Sequence, residues 1–241
     1  MYTVKLIAKI QETPTDWSFR FTKPEGFEYI AGQYAVLRVN LKYLDDRHGA
    51  RTCSLSSAPE ENFLQFTFSM RETGFKKTLM EMNLGDEATV SKARGILTLA
   101  EVQQKRVCMI AGGIGVAPFR GILQSELKGS SDSYYEMLKL IYIDKTEAEL
   151  AFRREFDDFA AENPNRFSVC YSLTRAYDDL GWAGNRGRFS EQLLLDVIGC
   201  PNVNFAYLIC GVPEMVLAAK EILLLNDVKN EDIYCELFTG Y

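Results

Sequence analysis

The chain has 241 residues, 47% of them hydrophobic and 25% charged, a composition able to fill two modest cores in a water-exposed protein. A formal net charge of −6 supplies no broad basic field, which argues against a nucleic acid partner. The first residues lack the apolar core of a secretory signal, and no run reaches the ~20 apolar residues of a membrane span, so a cytoplasmic location is expected.

Up to about residue 98, short β-rich runs follow one another at 4–10, 17–22, 34–39, 52–55, 64–69 and 88–90, broken by turns rich in Pro, Gly and Asn. That rhythm predicts an antiparallel barrel. One helix interrupts it at 75–82, where Leu79 and Met82 share a face and Gly85-Asp86 ends the element. After residue 105, buried strands alternate with amphipathic helices: 106–111 then 118–127, 138–143 then 149–161, 167–173, and 206–210 then 213–225. This alternation predicts a parallel sheet flanked by helices. The expected boundary lies at 99–104, giving a barrel unit over 1–100 and an α/β unit over 101–241.

The strand before Gly112-Gly113-Ile114-Gly115-Val116-Ala117-Pro118 feeds a glycine turn that opens a helix. Glycines let backbone approach a phosphate closely, and helix N–H groups with the positive end of the dipole face the anion. Pro118 suits a first turn that needs no N–H. The stretch therefore reads as a dinucleotide pyrophosphate site, with a purely structural glycine turn as the alternative.

In the first half, Arg51-Thr52-Cys53-Ser54-Leu55-Ser56-Ser57-Ala58-Pro59 places a guanidinium and several hydroxyls along one strand end. Such an arginine is suited to a diphosphate, although from this segment alone an edge strand of small residues is the slightly preferred reading. Gly74-Phe75-Lys76-Lys77-Thr78, at the start of the predicted helix, offers a second anion site. The six cysteines, at 53, 108, 170, 200, 210 and 235, have no zinc or iron–sulfur spacing, so no metal is expected. His48 is the sole imidazole and no Gly-x-Ser-x-Gly elbow is present, which leaves a serine hydrolase without support.

Taken in order, Gly32-Gln33-Tyr34, residues 51–59, residues 112–118, Cys210-Gly211-Val212-Pro213-Glu214-Met215 and Glu236-Leu237-Phe238 resemble the successive signatures of the ferredoxin-NADP reductase superfamily, over nearly the whole chain. The resemblance implies an FAD-binding barrel followed by a pyridine-nucleotide domain. It implies that Arg51 neutralises the flavin pyrophosphate beside Thr52 and Cys53, and that Ser54 bonds near flavin N5. Gly74, Lys77 and Thr78 hold phosphate on this reading. Gly112, Gly113, Gly115 and Pro118 form the nucleotide cradle, with Gly211, Met215 and Phe238 around the cleft. Cys210 lies beside nicotinamide C4, while Ser54, Cys210 and Glu236 tune geometry and proton supply. Tyr241 either stacks on the flavin or ends a free tail.

The chain also departs from the family pattern. Cys53 stands where a tyrosine is usual, Lys77 where a serine is usual, and Lys92-Ala93-Arg94-Gly95 keeps only the last glycine of a Gly-Pro-x-Gly. Thr174-Arg175 suits the 2′-phosphate of NADPH, whereas residues 182–187 resemble the connection of NADH-using members and tip the expectation to NADH. The implied activity is hydride transfer from NAD(P)H to bound FAD, with electrons passed to a separate ferredoxin or oxygenase component. The alternatives are an NAD(P)H:flavin reductase with diffusible flavin and a non-catalytic nucleotide-sensing or electron-transfer subunit. Oligomeric state is left open.

Overall fold

In strand β1 (Tyr2–Gln11) Val4 and Leu6 are buried while Lys5 faces water, the period of two expected of a half-covered strand. It pairs antiparallel with β2 (Asp16–Thr22) on one side and β6 (Glu87–Val90) on the other. With β3 (Tyr34–Val39), β4 (Ala50–Ser54) and β5 (Phe63–Ser69) these form a six-stranded sheet in the order β4-β3-β6-β1-β2-β5. The sheet curls until its edges approach: Leu55, just past β4, bridges Phe66 of β5, and Ser56 N donates to Gln65 O at 2.9 Å. Helix α1 (Gly74–Glu81) covers one end, capped by the Thr73 hydroxyl, with Phe75 edge-on to Phe68 at 5.7 Å. The computed structural model that shows this describes residues 1–128, 134–176, 181–202 and 204–238.

The second sheet is wholly parallel and runs β10-β9-β8-β7-β11-β12, from β7 (Arg106–Gly112), β8 (Met137–Asp144), β9 (Phe167–Leu173), β10 (Asn185–Arg186), β11 (Phe205–Gly211) and β12 (Ile233–Leu237). All seven residues of β11 are buried, as a central parallel strand covered on both faces requires. Alternate residues of β7 serve different cores. Val107, Met109 and Ala111 pack with Phe119 and Leu123 of α2 (Ala117–Lys128) and Phe156 of α3 (Arg153–Glu162). Cys108 and Ile110 pack with Leu194 of α4 (Glu191–Ile198) and Val216 of α5 (Pro213–Leu225).

One helix starts later than its pattern predicts. Residues Glu147–Glu149 form a separate 3-10 turn, and Phe152 adopts a left-handed φ of 60°, so α3 begins only at Arg153. The short elements β10, α4 and β12 are additions to the predicted set. Among the described residues no helix is long and apolar enough to cross a membrane, and no cluster of His, Cys, Asp or Glu is placed to hold a metal ion.

A seam of contacts joins the two sheets. Arg120 of α2, only 4% exposed, donates to Ser56 O at 3.1 Å and pairs with Glu61 at 2.5 Å and with Glu155 at 3.0 Å. One residue on, Gly121 approaches so closely that a Cβ there would lie 2.7 Å from Ser57 O.

Candidate functional site

In the parallel sheet the chain runs outward from β7 through β8 to β10, then returns to place β11 on the other flank of β7. The crevice beyond the carboxyl ends of β7 and β11 is therefore the switch point at which open α/β sheets bind ligands. Gly113 lies there in a left-handed conformation (φ 54°), and a Cβ on it would meet nothing within 4 Å. Its bare backbone faces the open crevice. Gly115 lies behind it, where a Cβ would stand 2.3 Å from Cys210 O, and Pro118 is buried in the first turn of α2. These two shape the turn from inside. The Met215 methyl lies across both Gly112 and Gly211, filling the space their missing side chains leave.

A cleft of about 420 Å³ opens from Gly112 and Gly113 past Asp144 and Met215, with Asp16 and Ser69 of the barrel forming its far wall. Burial pushes the Asp144 carboxyl up to about 7 and raises that of Asp16 as well. Beside it a second hollow of about 370 Å³ is lined by Lys145, Thr174, Arg175, Gly187 and Arg188. Lys145 is paired with Glu149 at 3.0 Å, whereas Arg175 and Arg188 have no ion pair among the described residues. Thr174 and Arg175 belong to the expected set; Lys145, just past β8, and Arg188, just past β10, are additions. Trp182 points inward instead: it is 9% exposed, its indole N–H donates to Asn185 O at 2.8 Å, and it packs over Gly184.

Across the cleft, Ser54 ends β4 as a buried residue, and its hydroxyl donates to Glu236 Oε1 at 3.0 Å. Glu236 stands in β12 directly opposite Cys210 of β11. Three residues separated by up to 182 positions thus meet at one point. Burial pushes the Glu236 carboxyl up to about 7, only partly offset by the hydrogen bond from Ser54. The Cys210 thiol is fully buried and held far above its ordinary range by that burial, with Glu236 adding to the shift, so it stays neutral. Phe238 N donates to Gly211 O at 2.9 Å, which ties the end of the described chain to the same corner. Tyr241 lies outside the described residues.

Of the barrel's expected phosphate ligands, Arg51 and the start of α1 hold a carboxylate of the chain itself, while Lys77 and Thr78 are taken by neighbouring residues of the same connection. Arg51 grips Asp45 with two hydrogen bonds, at 2.9 and 2.5 Å, and its guanidinium lies 5.0 Å above the Phe75 ring. Asp45, whose side chain is 1% exposed, also accepts from Phe75 N at the start of α1 at 3.2 Å. Those bonds, that from Arg51 foremost, hold its carboxyl well below the usual range. A Cβ on Gly74 would lie 2.0 Å from Leu44 O, so this glycine admits the chain's own backbone. The Lys77 ammonium sits 4.1 Å over the Tyr43 ring, and the buried Thr78 hydroxyl accepts from Lys42 N at 3.1 Å. Thr52 is exposed on β4. Cys53 is half-buried beside it, and desolvation pushes its thiol up to about 12. A buried anion seated on this donor set demonstrates that the donors suit an anion.

Comparison with known proteins adds independent findings. Residues 109–221 match the oxidoreductase NAD-binding domain family. The chain is 27% identical over 218 residues to NADH-cytochrome b5 reductase 1 of Kluyveromyces lactis, covering 89% of this chain and 76% of that protein. It is 27% identical over 220 residues to the protein of the same name from Eremothecium gossypii, covering 90% and 76%. Among solved structures, a ferredoxin NADP+ reductase from Neisseria gonorrhoeae with bound FAD and NADP superposes with a TM-score of 0.81 at 23% identity, over 98% of both chains. The cytochrome b5 reductase domain of Ulva prolifera nitrate reductase does so with a TM-score of 0.80 at 19% identity, over 97% and 96%. These structural likenesses establish the two-part fold.

Proposed function

The chain belongs to the ferredoxin-NADP reductase superfamily and is an NAD(P)H-dependent flavoprotein reductase that works with FAD, and from that premise we propose that it delivers its electrons to a separate small redox protein. The observation that carries the reading is the 3.0 Å hydrogen bond between Ser54 and Glu236, which joins the end of the barrel strand to the last strand of the nucleotide sheet beside the glycine crevice. A flavin bound there supplies the conversion of a two-electron hydride into single electrons.

The chain's own residues do the positioning. Gly113 leaves backbone open to a pyrophosphate, and Met215 closes the floor beneath it. Cys210 presents a neutral, fully buried thiol that keeps water from the meeting point of the two halves. Glu236 holds a proton up to about pH 7 and has Ser54 as its hydrogen-bonded neighbour, which makes the pair a proton reservoir on the barrel side of the crevice. Arg51 and the first N–H groups of α1 are the groups suited to the flavin diphosphate once Asp45 is withdrawn.

We further propose NADPH as the preferred nucleotide. Two guanidiniums that form no ion pair among the described residues, Arg175 and Arg188, line one hollow with Lys145, a set suited to a 2′-phosphate. The stretch 182–187 that suggested NADH holds itself together through Trp182 and Arg186, the latter donating to Ala176 O and Trp182 O at 2.6 Å each. The names of the relatives favour NADH, so the two nucleotides must be compared directly. Purified protein carrying flavin is mixed anaerobically with each in turn, and the flavin absorbance is expected to bleach faster with NADPH. An oxidised cytochrome b5 or ferredoxin added next should be reduced. Unchanged yellow colour with both nucleotides overturns the reductase reading. One observation favours a second reading, exchangeable flavin used as a substrate: the diphosphate donors are already engaged by Asp45.

A further inference from the structure

Residues 42–49, between β3 and β4, lie across α1 like a strap. Lys42 N donates to Thr78 and Lys42 Nζ donates to Glu81 O at 3.2 Å, while the Tyr43 hydroxyl donates to Glu81 Oε1 at 2.6 Å. Leu44 O presses on Gly74, and Asp45 takes up Arg51 and the Phe75 N–H. The strap thus spans the helix from its first turn to its last and engages every barrel residue suited to phosphate: Arg51, Gly74, Lys77 and Thr78. Its tip is held by polar contacts. The Leu44 side chain is fully exposed, so lifting the tip uncovers no apolar side chain there.

We propose that Asp45 is the residue that sets flavin specificity: a built-in carboxylate occupying the diphosphate cradle, which FAD must displace and riboflavin need not. This rests on the flavoprotein reading above. A diphosphate must compete with Asp45 for Arg51, because the terminal nitrogens of that guanidinium are already taken by Asp45, by Ala50 O and, at 3.5 Å, by Asp46, so a further anion finds few donors and adds repulsion. FAD therefore binds with its full set of contacts only to the fraction of molecules whose strap is lifted, and its apparent affinity falls by that fraction. Riboflavin, which carries no phosphate, leaves the strap closed and loses nothing. The consequence is a flavin site that discriminates little between FAD and riboflavin and exchanges its flavin readily.

Equilibrium dialysis of flavin-stripped protein against FAD and against riboflavin tests this. The Asp45→Asn variant keeps an oxygen to accept from Phe75 N–H but releases the charge pair with Arg51. It is expected to bind FAD about tenfold more tightly than the unaltered protein, with riboflavin affinity unchanged. FAD binding that is unchanged or weakened in the variant overturns the proposal and makes Asp45 a support that orients Arg51. Amide hydrogen exchange on the unaltered protein gives a second measurement that needs no variant. Saturating FAD is expected to speed exchange across 42–49 while riboflavin does not; protection of the strap by FAD overturns the proposal. Failure of both flavins to bind either protein overturns the flavoprotein reading itself.

Discussion

The molecule has two anion cradles at helix starts, and they are in opposite states. In the nucleotide half, Gly113 faces open space, and Arg175 and Arg188 line a hollow and form no ion pair among the described residues. In the flavin half, Arg51 is clamped by Asp45, and Gly74 is pressed by Leu44 O. Both corners are built from the same parts, a glycine, a helix start and an arginine. A neighbouring connection bears on which is free: Arg175, just past β9, and Arg188, just past β10, line the hollow, whereas the connection between β3 and β4 folds back onto its cradle. A glycine beside a helix start thus identifies a place where backbones or anions approach closely, and the chain around it settles which of them does.

The comparison is most severely broken by cutting the seam that holds the halves together. Arg120 is 5% exposed at its side chain and is shared by Glu61 and Glu155. Arg120→Ala leaves two carboxylates facing a space without their cation, and removal of one partner of a buried pair costs about 3–5 kcal/mol. For a chain of this size that corresponds to a fall in Tm of roughly 6–20 °C. A thermal melt reads it directly. A shift of under about 2 °C would mean that the halves are held by packing around Gly121 and Ile122, and that the ion pairs add little.

Next in size is the nucleotide corner. Arg188→Gln keeps length and polarity but removes the charge, and a hydrogen bond to a charged group contributes about 1.5–3 kcal/mol. The expected outcome is a roughly 10- to 100-fold loss of kcat/KM with NADPH and a change within about twofold with NADH. Equal losses with both nucleotides would place Arg188 on the shared pyrophosphate or adenine and remove the basis for preferring NADPH. The same substitution should leave FAD affinity untouched, which separates this cradle from the one at Arg51.

How much of this was readable from the sequence depends on whether a residue's role is local. The all-apolar run of β11 and the helix opened by Pro213 follow from pattern alone. The start of α3 does not, because Phe152 takes a left-handed conformation that its side chain gives no sign of. Ser54, Cys210 and Glu236 were found through motif order, although only the fold brings the first within 3.0 Å of the last. Asp45 was passed over because Asp45-Asp46-Arg47-His48-Gly49 has the composition of a solvated turn. Its 1% exposed side chain is decided by contacts with Phe75, 30 positions away. Arg120 was missed for the same reason: a lone cation in an amphipathic helix ordinarily faces water.

A third test sits where the halves meet and concerns pH. The Glu236 carboxyl is raised from an ordinary value of 4.5 to about 7 by burial, so folding favours its protonated form. The stability this group contributes is fully present below about pH 4.5 and is lost as pH rises through about 7. Glu236→Gln, which mimics the protonated form and can still accept from Ser54, should flatten that slope between pH 5 and about 8. The rate of electron delivery should also lose its alkaline limb near pH 7. A limb that persists unchanged in the variant would assign it to another group, of which Asp144 is the nearest candidate by its shifted carboxyl.

The smallest effect is expected at Cys210, and its size separates a packing role from a positioning one. The thiol is fully buried and neutral, so it offers no charge to the reaction. Cys210→Ala deletes one heavy atom from a core shared with Met109 and Ala111, a change on the order of 1 kcal/mol in stability. If its bulk also fixes how closely a nicotinamide approaches, the rate of flavin reduction should fall by roughly three- to tenfold, since misplacement of reacting atoms by fractions of an ångström carries penalties of that order. Flavin affinity should not change, because Cys210 is a fully buried residue of the nucleotide sheet's central strand β11. Stopped-flow bleaching beside a flavin titration reads both quantities. A lower Tm with an unaltered rate would leave Cys210 as core alone, and the approach distance would then be set by the backbone at Gly211 and Gly112, which Met215 holds in place from behind.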